Sequence, residues 1–183
     1  MSGHHLVMGD IIDFLTNRFV ADTHDERYRQ KVARLLVMEK GYRTEQIRSR
    51  IGLRVRADRC RAVVPVDFVL LCGEHAAMCI RYAPGSLVTR HRPAMAAARL
   101  FSDCQIPLVA VTNGEDAHIL DVESGKTVST GLSSLPDAAV LPAMAEAIGY
   151  RPISKKQAEL ESRIVYAFEV DGSCPCDDTV CKL

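Results

Sequence analysis

Tryptophan is absent, and phenylalanine and tyrosine contribute five residues each. Aromatics this scarce do not supply the interleaved stacking platform of a single-strand nucleic-acid binder. Net charge is missing as well: 23 basic residues balance 23 acidic ones. Any nucleic-acid surface must therefore come from local clustering, not from overall charge. No apolar run approaches the ~20 residues that cross a bilayer, and the opening MSGHHLVMGD lacks the apolar core of a secretory signal. The expectation is a cytoplasmic protein with no membrane partner. Seven cysteines, an odd count without a secretion signal, do not read as a disulfide framework. No internal repeat is visible.

What is present is an ordinary globular composition, 48% hydrophobic and 25% charged over 183 residues. A chain of that length can bury a core without a covalent staple. Its centre is the stretch VVPVDFVLLCGEHAAMCIRYAP, residues 63–84. Residues 63–71 are β-branched and apolar, Cys72-Gly73-Glu74-His75 has hairpin-turn chemistry, and residues 76–82 return as a second strand. Asp67 lies inside the first run, between Val66 and Phe68. A carboxylate there is costly unless it is paired, hydrogen-bonded or bound to a metal.

Apolar spacing predicts a helix over residues 10–20, through Ile11, Ile12, Phe14, Leu15, Phe19 and Val20. Thr23, three residues before Glu26, marks a second helix start, and Gly41 marks its end. Thr44 caps a short third helix carrying Ile47. Leu53, Val55 and Ala57 alternate with Arg54, Arg56 and Asp58, a strand with one charged face. Seven arginines (43, 48, 50, 54, 56, 59, 61) meet only Glu45 and Asp58 in that region, a local excess of five. They suit either a charge-protected edge strand or a phosphate-facing surface.

Further along, a helix is expected over 93–103 with Pro93 at its start, and a short buried strand over 106–111. Asn113-Gly114 turns the chain into residues 117–122, and Ser124-Gly125 into 127–129. Residues 133–136 read as a linker, and helices follow over 137–148 and 155–168. The order of elements is that of an α/β domain with a mixed sheet, taken as one domain over residues 1–170. Residues 171–183 form a polar tail with Cys174, Cys176 and Cys181. Those three thiols are one ligand short of a structural zinc site. Zinc binding with outside help, redox chemistry and an ordinary chain end are the three readings open for them.

Four strings stand in order at family spacing: DERYRQKVARLLVMEKGY, VDFVLL, the strand ending in Ala83-Pro84, and VAVTNGEDAHIL. With the lead-in GDIIDFLTNRFVADTHDE, they resemble the N-terminal nuclease domain of type I restriction enzyme R subunits, over residues 9–122. The resemblance implies a restriction-endonuclease-like core, a mixed β-sheet flanked by helices, with a PD-(D/E)xK site. In such a site carboxylates hold magnesium, a hard cation that prefers oxygen ligands, and a lysine helps stabilise the reacting phosphodiester. By the same resemblance, Glu26 matches the helix glutamate and Asp67 the strand aspartate. The Glu-x-Lys of the next strand is replaced by Ile80 and Tyr82, and the glutamine of the following helix falls near Ala97. A shift by one residue offers only Cys79 and Arg81, and the nearest other carboxylate, Glu74, sits in the turn.

The implied reading is a degenerate nuclease site in a nucleic-acid-associated or partner-binding module, with DNA or a protein as partner. The cationic candidates are Arg54, Arg56, Arg59, Arg61, Arg81, Arg90 and Arg92. The alternatives are an active magnesium-dependent endonuclease and a cysteine-dependent metal or redox protein. Asp67 also has a purely structural reading, hydrogen-bonded to backbone or paired with an arginine such as Arg81. Glu26 has one too, as a helix-start acid.

Overall fold

In a computed structural model, residues 7–171 and 181–182 are described. The chain opens as a two-stranded antiparallel ribbon, β1 (Asp10–Ile12) and β2 (Phe19–Ala21). This corrects the helix expected over 10–20. Asp13 decides the matter: its Oδ1 accepts from the backbone of Leu15 and Thr16 and from the Thr16 hydroxyl. Such local side-chain bonding offers the backbone an alternative to the helix, and Asn17 completes the reversal at φ 55°. The apolar spacing that suggested a helix is no core stripe, since Ile12 and Phe19 face each other across the ribbon and are exposed.

α1 (His24–Arg34) begins as its sequence dictates, with Thr23 Oγ1 accepting from the Glu26 backbone. It loosens into a π-helical turn, Leu35–Glu39, and ends at Gly41, φ 72°. The third helix is a single 3-10 turn, Thr44–Gln46. Ile47 opens a strand instead, because pairing with Leu70 buries it in the sheet. β3 (Ile47–Ala57) and β4 (Cys60–Cys72) form a long hairpin, and β5 (His75–Tyr82) returns after Gly73-Glu74.

α2 (His91–Leu100) starts two residues before Pro93. Pro93 is tolerated there because the first helical N–H groups have no partner within the helix anyway. α2 carries the chain to β6 (Leu108–Thr112), which runs parallel to β5. β7 (Ala117–Asp121) and β8 (Thr127–Thr130) follow as antiparallel neighbours. A 3-10 turn, Leu132–Ser134, occupies part of the expected linker. α3 (Leu141–Ile148) starts later than residue 137, with Pro142 in its first turn, and α4 (Lys155–Tyr166) is capped by Ser154. Within the tail, β9 (Cys181–Lys182) pairs with Val63 and Ala62 of β4.

The sheet order is β3-β4-β5-β6-β7-β8, with β9 beside β4. α2 and α4 cover one face, packing Ala96, Ala97, Ala98 and Val165 on Leu53, Val64, Val66 and Val109. α1 and α3 cover the other, packing Val32, Leu36 and Leu141 on Phe68, Met78, Ile80 and Ile119. The strand pattern inverts partway along the first hairpin. Val64 and Val66 belong to the α2/α4 layer, yet Phe68 and Leu70 belong to the α1/α3 layer. Regular alternation would keep all four on one face. The inversion falls where Ser49 pairs Phe68 and Ile51 pairs Val66, with Arg50 and Asp67 skipped between them. Arg50 has φ 54° there. Among the described residues, no helix is long and apolar enough to cross a membrane.

Candidate functional site

The break in the β3–β4 pattern places Asp67 where both layers can reach it. The residue is 8% exposed, and its carboxylate accepts a hydrogen bond from the Tyr82 backbone N–H at 2.8 Å. Arg29, from α1, donates Nε to Asp67 Oδ1 at 2.6 Å. Arg81 is the more distant cation, its Nε 3.8 Å from Oδ2. The arginine partner foreseen for Asp67 therefore exists, but Arg29 makes the short contact.

Glu26 lies one helical turn before Arg29 and Gln30 and is 4% exposed. Its Oε1 accepts from Arg50 Nη2 at 2.5 Å and from Gln30 Nε2 at 2.7 Å, while Arg29 Nη1 stands 3.7 Å from Oε2. A third carboxylate, Asp13, joins from the β1–β2 ribbon and was given no part by the sequence reading. Gln30 Nε2 donates to its Oδ2 at 3.0 Å, and Arg50 Nη2 lies 3.3 Å from the same oxygen. The Gln30 side-chain oxygen Oε1 in turn accepts from the Phe14 backbone N–H at 2.7 Å. Asp13, Glu26 and Asp67 are thus bridged by Gln30, Arg50 and Arg29 into one polar network. Arg29 and Gln30 stand in the same string as Glu26, DERYRQKVARLLVMEKGY. Nothing in the spacing of Asp13 indicates its membership.

Burial works to raise the Asp13 carboxyl, but hydrogen bonds from Thr16, Gln30 and Arg50 outweigh it and hold it below its ordinary 3.8. A carboxyl depressed in the folded state stabilises the fold above its unfolded value, and that stabilisation is lost as pH falls through the folded value. Asp13→Asn should therefore cost about 1–2 kcal/mol at neutral pH. The gap to the parent protein should narrow progressively as pH falls below the unfolded value of about 3.9. Urea titrations across that range measure it, and a gap that does not change with pH would refute the assignment.

Ile80 and Tyr82, the residues expected from the resemblance at the other two motif positions, lie on β5. Ile80 is fully buried in the α1/α3 layer, opposite Phe68. Tyr82 donates its hydroxyl to Asp25 Oδ1 at 3.1 Å, stacks on Tyr28 with centroids 6.0 Å apart, and carries the Arg29 guanidinium 5.2 Å above its ring. Burial, with Asp25 beside it, pushes the phenol further above its ordinary pKa. The side chain is neutral at physiological pH.

These donors do not fit magnesium. A hard cation of that size needs near-octahedral oxygen ligation and keeps several waters. Here guanidinium groups already hold the oxygens of Glu26 and Asp67, and Ile80 offers no ligand. The space bordered by Asp13, Arg29, Arg50 and Asp67 is about 10 Å³, at the lower limit for a single water. Among the described residues, no group of three or more His, Cys, Asp or Glu side chains is disposed to hold a metal.

The cationic candidates are not one surface. Arg81 is 8% exposed and donates Nη2 to Glu169 at 2.9 Å. Arg92 is joined to Glu161 at the α2–α4 interface, and Arg90, at the head of α2, has no ion-pair partner among the described residues. Arg54, Arg56, Arg59 and Arg61 stand together on the exposed β3–β4 hairpin. Of the tail thiols, Cys174 and Cys176 lie outside the described residues, and Cys181 opens β9. Cys79 is buried, which pushes its thiol up to about 12 and removes it as a nucleophile at neutral pH.

The mixed sheet, helix-clad on both faces, with an N-terminal helix placing an acid and an arginine against the second strand of a meander, is a restriction-endonuclease-like α/β domain. Residues 24–136 match the family described as type I restriction enzyme R protein N terminus (HSDR_N), and the chain belongs to that family. No curated protein and no solved structure matches the chain.

Proposed function

We propose that this chain is a catalytically silent member of the nuclease-domain family, acting in the cytoplasm as a nucleic-acid-associated module. The observation that carries this reading is the pairing of both retained acids with arginines, Asp67 with Arg29 and Glu26 with Arg50. Ile80 supports it by placing a dry aliphatic group where the family carries an acid. Residues 1–170 are taken as the domain and 171–183 as its tail. Neither a residual magnesium-dependent cleavage activity nor a cysteine-centred one has comparable support in the described residues. Phosphate binding is assigned to Arg54, Arg59 and Arg61 of the exposed β3–β4 hairpin, because Arg56, Arg81 and Arg92 are engaged by carboxylates.

The test uses purified protein and supercoiled plasmid in magnesium and in manganese, with Asp67→Ala alongside. Expected are an intact plasmid and a mobility shift that weakens with salt. Nicking that disappears in Asp67→Ala would overturn the silent-site reading.

A further inference from the structure

A groove of about 560 Å³ lies between the β3–β4 hairpin and α4, and it shares no residue with the carboxylate network. Arg61, in the groove, is six positions along β4 from Asp67, a separation of about 20 Å at the rise of an extended strand. The floor is aliphatic, from Val55, Ala62, Val63, Leu100 and Ala158, and the rim carries Arg54, Arg56, Arg61 and Lys155. Glu159 is the acid on that rim and is paired with Arg56 at 2.8 Å. Arg54, Arg61 and Lys155 have no ion-pair or hydrogen-bond partner for their charged groups among the described residues. The wall is built firmly: Ser162 of α4 donates its hydroxyl to the Arg56 carbonyl at 2.9 Å and accepts from the Arg56 N–H at 2.7 Å.

We infer that this groove is the nucleic-acid contact, and that it receives one sugar–phosphate backbone without reading bases. The inference rests on the reading just proposed and adds where and what the module binds. Three uncompensated cations around a concave rim match the repeating charge of a phosphodiester chain. Aliphatic side chains between them suit the C–H surface of the sugars. A base-reading or base-stacking site would need aromatic faces or paired donors and acceptors in the floor. Val55, Ala62, Val63, Leu100 and Ala158 supply neither. The contact is consequently displaced from the carboxylates, and binding does not depend on Asp67.

The experiment measures affinity for a 20-base-pair duplex across a salt series, with the full chain and the variants Arg61→Ala, Arg61→Lys and Ala158→Phe. Three phosphate contacts predict a slope of log affinity on log salt of about −3. Arg61→Ala should make that slope shallower by about 1 and Arg61→Lys should restore it. Ala158→Phe should lower affinity at least fivefold with the slope unchanged, since it obstructs the floor and removes no charge. Affinity should be equal for duplexes of unrelated sequence and unchanged in Asp67→Asn. Circular dichroism melts establish that each variant is folded; Lys155→Ala replaces Arg61→Ala, and Ala158→Leu replaces Ala158→Phe, where either is not. A parent protein that binds no duplex would overturn the nucleic-acid reading and this inference together. Salt-sensitive binding that is indifferent to Arg61→Ala and Ala158→Phe would overturn the groove alone. Sequence preference above tenfold would overturn backbone-only recognition.

Discussion

Arg29→Ala is expected to lower the free energy of unfolding by about 3 kcal/mol, the lower part of the range for breaking a buried pair. Asp67 is 8% exposed and would lose its 2.6 Å guanidinium. What remains to it is one backbone N–H at 2.8 Å and Arg81 at 3.8 Å. Arg81 cannot move closer freely, because its Nη2 is held by Glu169. The same substitution strips a cation from beside Glu26 and from above the Tyr82 ring. The upper part of the range is not expected, since the Arg29 side chain is 25% exposed and water screens part of the interaction. A double-mutant cycle with Asp67→Ala should return a coupling of about 1–3 kcal/mol from urea midpoints. A coupling indistinguishable from zero would mean that the pair contributes nothing to the fold.

Ile80→Glu, which places an acid in the α1/α3 core layer, should be the more damaging change. Expected is a loss above about 4 kcal/mol, enough to unfold a marginal domain. Ile80 is fully buried beside Phe68, Met78 and Ala110, with no described donor directed at it. An ionised carboxylate placed there has no partner, so the group keeps its proton in the folded state. A carboxyl raised in the folded state makes stability fall as pH rises through the unfolded value of about 4.3. The variant should therefore be least stable at neutral pH and partly rescued near pH 4. Ile80→Val, which removes only a methylene group, should cost about 1 kcal/mol. Adding Tyr82→Lys, the second change that the proposed silent-site reading calls for, is not expected to produce plasmid cleavage, because Arg29 and Arg50 still hold Asp67 and Glu26. Thermal melts of the three variants at pH 4 and pH 7 measure the stabilities, and the plasmid assay in magnesium and manganese reads cleavage. An Ile80→Glu protein as stable as the parent would show that the pocket is wetter than its packing implies.

Fold and site were legible to different depths. Thr23 as a helix cap, Gly41 as a stop, Gly73-Glu74 and Asn113-Gly114 as turns, and the alternating or continuous apolar strands are short-range signals. Each depends on the backbone preferences of a few adjacent residues, so one-dimensional reading recovers it. The stretch over 10–20 misled for a related reason. Its apolar spacing imitates a helix, while the competing signal is one aspartate bonding to backbone two and three residues on.

The sequence by itself determined the α/β class, the succession of strands along the chain, and the central hairpin around Gly73-Glu74. Tertiary structure alone decided what Asp13, Glu26 and Asp67 are paired with. Arg29 meets Asp67 across 38 positions, Arg50 meets Asp13 across 37, and Ser162 meets Arg56 across 106. The side chains involved are long or generic, and their spacing carries no record of a partner. Their meeting follows from packing two helical layers on a sheet whose facing inverts at Arg50 and Asp67. Proximity of that kind is a property of the assembled core, where the cost of an unpaired buried charge selects the partner.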